Sequence, residues 1–388
     1  MMIVWIDTAP AVGAPALFGL PPVTRLRRSI AKVLPTVGEP ILSDASQGPL
    51  GQRLILALKA AKGPLLVIDG ATVIDSRLIG FLGKGDTPVA AFHGEGRERA
   101  VIARLTPEMA DSIDPAASDL LTVCDALVRD GRIEPLANDA MPGFMANLRR
   151  SIDFWLFTVS DDETRKRLER WMFWSNYKGS TDLLTRWVFP PIVWPLTQLA
   201  TRWHIHPNLI TFVSIIFTFA AVPLFAKGMF FWGFVLAFGM CILDSVDGKV
   251  ARLTLTDSPI GNILDHGLDI IHPPLWYGAW AFGLGGLAFG DPMIQLAIWL
   301  IGFYVADRIV LGIAKARFKR GLHAMTELDG KVRAIIARRN INLVIFGVAL
   351  LLGKGEIGLI AVTAWQGLTL LWHTIRTIMV KPLPLKAA

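Results

Sequence analysis

Four aspartates within residues 243–269 (LDSVDGKVARLTLTDSPIGNILDHGLD) have the types and spacing to do chemistry together. Asp244 and Asp247 stand three apart, and Asp265 and Asp269 four apart. Those spacings put each pair on one face of a helix. If the two helices are antiparallel neighbours, all four carboxylates converge on one small volume. Such anions repel one another and are costly to desolvate, so cations must offset them. Hard oxygen ligands select Mg²⁺ or Mn²⁺ over zinc or copper. Between the pairs, Gly248 and Gly261 leave room for a close approach, and Ala251 keeps the face shallow. Arg252 adds a planar donor fork for a phosphate. Carboxylate-held metals beside an arginine and two glycines suit a pyrophosphate. A lone acidic residue at a helix end is ordinarily a cap. Four, with these neighbours and apolar flanks, point to function.

The elements that must hold these residues are membrane helices. Of 388 residues, 53% are hydrophobic and only 18% charged. That excludes a disordered chain and an ordinary soluble enzyme. Two cysteines, Cys124 and Cys241, exclude a disulfide framework and a multi-cysteine zinc site. The net charge of +7 fits loops facing anionic headgroups or phosphorylated substrates, and nucleic acid is not an expected partner. The N-terminus is apolar but has no basic leader and carries Asp7, so it does not read as a signal peptide.

The composition shifts near residue 185. Beyond it lie six apolar stretches, at 208–226, 229–246, 266–289, 292–314, 340–353 and 357–379. Most approach the roughly 20 residues that cross a bilayer, and the fifth is short. A seventh, 183–203, holds Pro190, Pro191 and Pro195 between Arg186 and Arg202, and reads as an interfacial amphipathic helix. Basic residues crowd 315–339, Lys249 and Arg252 fall between the second and third stretches, and Lys381 and Lys386 lie in the tail. By the positive-inside rule these face the cytoplasm, with the N-terminus and the aspartates. The expected location is a bacterial inner membrane. Gly286 and Gly290 form a GxxxG that more simply marks a span end. His272, before Pro273 and Pro274, reads as a residue of a kinked helix.

The N-terminal half alternates strand and helix patterns. Residues 3–7, 65–69 and 89–92 read as strands, and 52–61 and 76–82 as helices. The prediction is two domains: a soluble α/β domain over 1–145 and an all-α polytopic membrane domain over 183–388, joined by a charged helical linker at 146–182.

The pattern Asp-x2-Asp-Gly-x2-Ala-Arg-x8-Gly-x3-Asp-x3-Asp resembles the signature of the CDP-alcohol phosphotransferase family. Asp244, Asp247, Gly248, Ala251, Arg252, Gly261, Asp265 and Asp269 fill every fixed position. The resemblance covers about 178–388. It implies an enzyme that moves a substituted phosphate from a CDP-linked alcohol to an acceptor hydroxyl and releases CMP, in phospholipid or related phosphodiester synthesis. It implies two divalent ions, Mg²⁺ or Mn²⁺, and a homodimer. By that likeness Asp244, Asp247 and Asp265 are metal ligands, and Asp269 is a ligand that also takes the acceptor's proton. Gly248, Ala251, Arg252, Ser258 and Gly261 would contact the CDP moiety, with Pro207, Asn208 and Thr211 at the entry to the first span. Residues 332–340 (VRAIIARRN) are similar to a cytoplasmic segment of family members with a fused nucleotidyltransferase. Arg333, Arg338 and Arg339 are therefore candidates for the phosphate of an acceptor or lipid.

The N-terminal domain resembles a degenerate sugar-phosphate nucleotidyltransferase. LLVIDGATVID, residues 65–75, is similar to the strand–Asp–Gly step whose aspartate holds a metal in that family, with Asp69 in that place. The family's first strand runs into a Gly-rich loop bearing Arg and Lys. Here it runs into TAPAVGAPALFG, with neither charge, and Arg25, Arg27 and Arg28 follow out of register. A catalytically inactive shell is expected. The alternative is a bifunctional enzyme whose head makes a CDP-inositol-type donor. A cation transporter is the third reading, disfavoured because the acids cluster beside an arginine at one interface.

Overall fold

The computed structural model describes residues 2–96, 99–137, 139–145, 148, 150–177, 179–257 and 259–380, with side chains for all of these except 144, 259–266 and 268. The chain divides into two compact units, Met1–Met145 with Ser151–Ser175, and Ala146–Arg150 with Asn176–Ala388.

The first unit is built on a six-stranded sheet of β1 (Ile3–Asp7), β2 (Ile41–Ser43), β3 (Leu65–Asp69), β5 (Val89–His93), β6 (Ala100–Leu105) and β7 (Glu134–Pro135), in the order β2-β1-β3-β6-β5-β7. β1 runs parallel to both β2 and β3, and β6 is antiparallel to β3 and β5. β4 (Thr72–Ile74) pairs separately with β8 (Leu156–Thr158). The expected strands and helices of this half are present. Side-chain alternation sends Val4 and Ile6 to one face of the sheet and Trp5 to the other. On the first face they meet α1 (Pro22–Val33) and α3 (Ser76–Leu82). On the second, Trp5 meets α2 (Leu50–Ala60) and α4 (Leu120–Arg129). Register places Asp7 beside Asp69 at the ends of β1 and β3. Arg53 binds Asp7 at 2.9 Å with both side chains buried. Removing either partner would strand a buried charge, at about 3–5 kcal/mol. Helix α5 (Asp162–Ser175) falls in what the sequence suggested was linker, and it groups with this unit.

In the second unit a π-helical turn, Leu184–Val188, leads into α6 (Pro190–Arg202), and Trp187 and Trp203 are exposed at its two ends. Six further helices occupy the apolar stretches: α7 (Pro207–Ala226), α8 (Phe230–Thr254), α9 (Pro259–Gly283), α10 (Pro292–Phe318), α12 (Arg339–Leu351) and α13 (Gly355–Met379). The short α11 (Glu327–Val332) lies between α10 and α12. Among the described residues three helices, α7, α8 and α10, are long and apolar enough to cross a membrane. Two of the other three differ for physical reasons. α12 has 13 residues, short of the roughly 20 a span needs. α13 buries Thr363, Gln366, Thr369, His373 and Thr377 along one side, which lowers its apolar character. α9 has Pro273 and Pro274 in its middle.

Two helix ends differ from expectation. α8 runs eight residues past 246, so Lys249 and Arg252 are helical, and it ends where Leu255 turns left-handed at φ 57°. Lys249, expected in an exposed connection, is buried with its Nζ 3.2 Å from the centre of the Tyr177 ring. α9 begins earlier and ends at Gly283, which leaves Gly286 and Gly290 in the connection and not on a packing face. The core between helices is aromatic, with Trp280 stacked on Phe346 at 4.2 Å. Asp307 on α10 meets His373 on α13 at 2.5 Å, and Arg308 bonds the other Asp307 oxygen at 2.9 Å. Charged groups buried between apolar helices are paired in this way because an apolar surrounding cannot solvate them.

Candidate active site

The site forms between the C-terminal half of α8 and the N-terminal half of α9, with α7 packed against both and the start of α12 bridging them. α7 starts in the way its sequence dictates. His206 caps it, its Nδ1 accepting the Asn208 N–H at 3.2 Å, and Pro207 occupies the first turn, where no N–H is needed. One turn on, Thr211 donates its hydroxyl to Asp247 Oδ2 at 2.6 Å. The Gly248 N–H donates to the other Asp247 oxygen at 2.5 Å. Asp247 is thus buried but held by donors on both sides. A Cβ at Gly248 would stand 3.2 Å from the Arg252 guanidinium, tight enough to push that side chain away.

Asp244 and Asp269 come together through a third helix. Arg339, at the start of α12, donates one N–H to Asp244 Oδ2 and another to Asp269 Oδ1, both at 2.7 Å. A cation in the first turn of a helix opposes the helix dipole, so Arg339 is there at a cost to α12. The two carboxylates compensate, and the arginine marks the point on which they converge. Beside it, Asn340 donates to Asp182 Oδ1 at 3.2 Å, and Arg338 stands 3.9 Å from the same carboxylate. Burial pushes the Asp182 carboxyl up, but Arg338 and the bonds from Thr185 and Asn340 outweigh it and hold the group below its ordinary value.

The structure therefore brings together Thr211, Asp244, Asp247, Gly248, Arg252, Asp269 and Arg339. Ala251 lies on the same helix. Pro207 and Asn208 sit one turn before Thr211. Ser258 lies outside the described residues, and the side chains at Gly261 and Asp265 likewise, although both positions are on α9. Arg338 faces Asp182, and Arg333 directly follows α11. Sequence reasoning missed two contributors, Asp182 and Tyr304. The Tyr304 hydroxyl, on α10, lies 3.2 Å from the carbonyl oxygen of Asp269 and 3.1 Å from that of Ile270. The adjacent prolines on α9 were the available signal. Among the described residues no group of three or more His, Cys, Asp or Glu side chains is arranged to hold a metal. The Asp265 side chain is not among those described.

At the strand ends of the first unit, the Asp69 carboxylate accepts the Ala71 N–H at 2.7 Å. Burial, with Asp7 and Asp119 nearby, pushes its pKa up to about 6 against that bond. A Cβ at Gly70 would lie 2.5 Å from the Asp7 carbonyl oxygen, so the turn after β3 admits only glycine. Arg25 is spent internally. It is buried and donates to the Leu17 carbonyl at 3.2 Å, tying down the loop after β1.

Residues 204–378 match the sequence model of the CDP-alcohol phosphatidyltransferase family. Cholinephosphotransferase 1 of Xenopus laevis is 37% identical over 76 residues, 17% of this chain. The match spans 19% of that relative's length. The crystal structure of Mycobacterium tuberculosis phosphatidylinositol phosphate synthase (PgsA1) with CDP-DAG bound is 17% identical, over 49% of this chain and 94% of that one. Its TM-score of 0.38 is too low to equate the two folds.

Proposed function

We propose, from the premise that residues 204–378 form a CDP-alcohol phosphatidyltransferase domain, that the chain transfers a substituted phosphate from a CDP-alcohol to an acceptor hydroxyl and releases CMP. The donor is CDP-diacylglycerol or a CDP-polyol, and the product a phospholipid or related phosphodiester. The observation that supports this best is the convergence of Asp244 and Asp269, from two different helices, on one guanidinium.

The residues present fit a divalent ion. They offer hard carboxylate oxygens, and two of them already gather about a positive charge. Asp244, Asp247, Asp265 and Asp269 would hold Mg²⁺ or Mn²⁺, and a bound ion would supply charge neutralisation of the pyrophosphate. The chain's own residues do the rest. Arg252 and the clearance at Gly248, with Ala251, Ser258 and Gly261, receive the CDP moiety, and Pro207, Asn208 and Thr211 close one wall. Asp269 is the more exposed carboxylate of the clamped pair, 44% against 22% for Asp244. It accepts the proton of the attacking hydroxyl as the oxygen bonds to phosphorus and the bond to CMP breaks. Arg339, at the aspartates, would receive the phosphate of the acceptor or lipid, with Arg338 and Arg333 adding positive charge on the same segment.

Six membrane helices preceded by an interfacial α6, a homodimer and a cytoplasmic site at a bacterial inner membrane complete this reading. The exposed Trp187 and Trp203 suit a headgroup layer. The first unit is a nucleotidyltransferase-like shell without catalysis, since Arg25 is spent inside the loop it would have to serve.

Mass spectrometry of products from purified protein with CDP-diacylglycerol or CDP-choline and a panel of polyol and amino-alcohol acceptors identifies the substrates. CMP release should require Mg²⁺ or Mn²⁺ and fall at least a hundredfold in Asp244→Asn, about what loss of one key electrostatic contact costs. CMP release undiminished by EDTA or by that substitution would overturn the reading.

A further inference from the structure

Pro273 and Pro274 interrupt α9 at adjacent positions, yet the helix continues from Pro259 to Gly283. Proline has no N–H, so each removes the bond its position would give to the carbonyl four residues back. Those carbonyls belong to Asp269 and Ile270. Both are left without the donor that a regular helix would give them, and a freed backbone acceptor takes another partner where one is in reach. The Tyr304 hydroxyl lies within hydrogen-bond reach of these same two oxygens, at 3.2 and 3.1 Å. Its single proton is shared between them, partly making up for the two missing N–H groups. Its ring is fixed: Tyr304 is buried, packs edge-on against Tyr277 at 6.1 Å, and lies under the Arg308 guanidinium at 5.2 Å.

We propose that Tyr304 is a positioning residue for Asp269. The diproline loosens α9 at the turn that carries the carboxylate, and the hydroxyl from α10 sets the angle at which that turn is held. Asp269 then reaches across to meet the same guanidinium as Asp244. The inference rests on the role of Asp269 given above. A misplacement of about 1 Å at a reacting group costs on the order of a hundredfold in rate, so a partial loosening should be visible in turnover.

The test is a cycle on the full-length protein in detergent. It compares Tyr304→Phe alone, the pair Pro273→Ala with Pro274→Ala, and all three together, using CMP release with whichever of CDP-diacylglycerol or CDP-choline the product screen selects. Phenylalanine keeps the packed ring and removes only the donor. Tyr304→Phe should lower kcat about tenfold or more with the donor KM within about twofold. In the alanine background, where two N–H groups are restored, the same change should be nearly silent. Hydrogen exchange at the amides of 265–272 should quicken about tenfold in Tyr304→Phe and return to the original rate in the triple variant. If Tyr304→Phe cannot be purified alone, recovery of folded protein in the alanine background is the same rescue. An equal loss in both backgrounds, a loss confined to KM, or failure of the triple variant to fold would overturn the proposal. Asp269→Asn is measured in parallel. Full turnover there would remove the role of Asp269 and the proposal with it. An inactive Asp269→Asn beside an unimpaired Tyr304→Phe would overturn the role of Tyr304 alone.

Discussion

Arg339 sits 70 residues beyond Asp269 in the chain and 95 beyond Asp244, yet it bonds both. Its two parallel donors match two carboxylates in a way a lysine's point charge would not. The bond to Asp269 is the more exposed of the two, which leaves that carboxylate open to a hydroxyl group. Asp269→Asn should therefore abolish CMP release while donor affinity, measured by calorimetry with the CDP-alcohol, stays within a few fold. Equal losses of affinity and rate would make Asp269 a structural ligand. The four aspartates were legible in the sequence because their spacing is local and helical. The clamp was not. The sequence offers Arg333, Arg338 and Arg339 as equivalent cations, and only the start of α12 decides that Arg338 turns to Asp182 while Arg339 turns to the site.

Among the elements, three of the six strands of the sheet, β1, β3 and β5, were legible almost to the residue, because runs such as LLVID are apolar on both faces and closed by an aspartate, whereas β2, β6 and β7 were not read. The helices were legible as apolar stretches but not at their ends. α8 carries its polar residues past the apolar run, because Lys249 finds a ring and Asp247 a hydroxyl inside the protein. The strand end at Asp69 yields a further expectation. Its carboxyl is lifted from 3.8 to about 6, chiefly by burial, so the folded protein holds that proton more tightly than the unfolded chain. The stabilisation is complete below the ordinary value and fades as pH rises through about 6. In thermal unfolding of the full-length protein, Asp69→Asn should flatten the decline of Tm across this window and raise Tm at pH 7. An unchanged slope would assign the decline to another group.

At the scale of the whole molecule, the loop after β1 is held by Arg25 from within and by Glu169, which accepts the Phe18 N–H at 2.7 Å. A loop bound on that side is ill placed to wrap a triphosphate. Full-length protein given CTP and inositol phosphate should release no pyrophosphate above the level of Asp69→Asn. Release that depends on Asp69 would make the chain bifunctional. The seam between head and membrane module was legible only as a change in composition, near residue 185. The contacts draw it earlier. Tyr177 roofs Lys249 and Asp182 anchors Asn340, so these residues belong to the membrane module although they precede its first helix. For anyone dissecting the chain, that difference of a few residues decides the outcome. A fragment cut at residue 183 leaves a buried ammonium without its ring and an asparagine without its carboxylate, whereas one cut at 176 keeps both. In one detergent, the longer piece should elute as a single species and melt several degrees above the shorter. Identical melting of the two would return the boundary to 183.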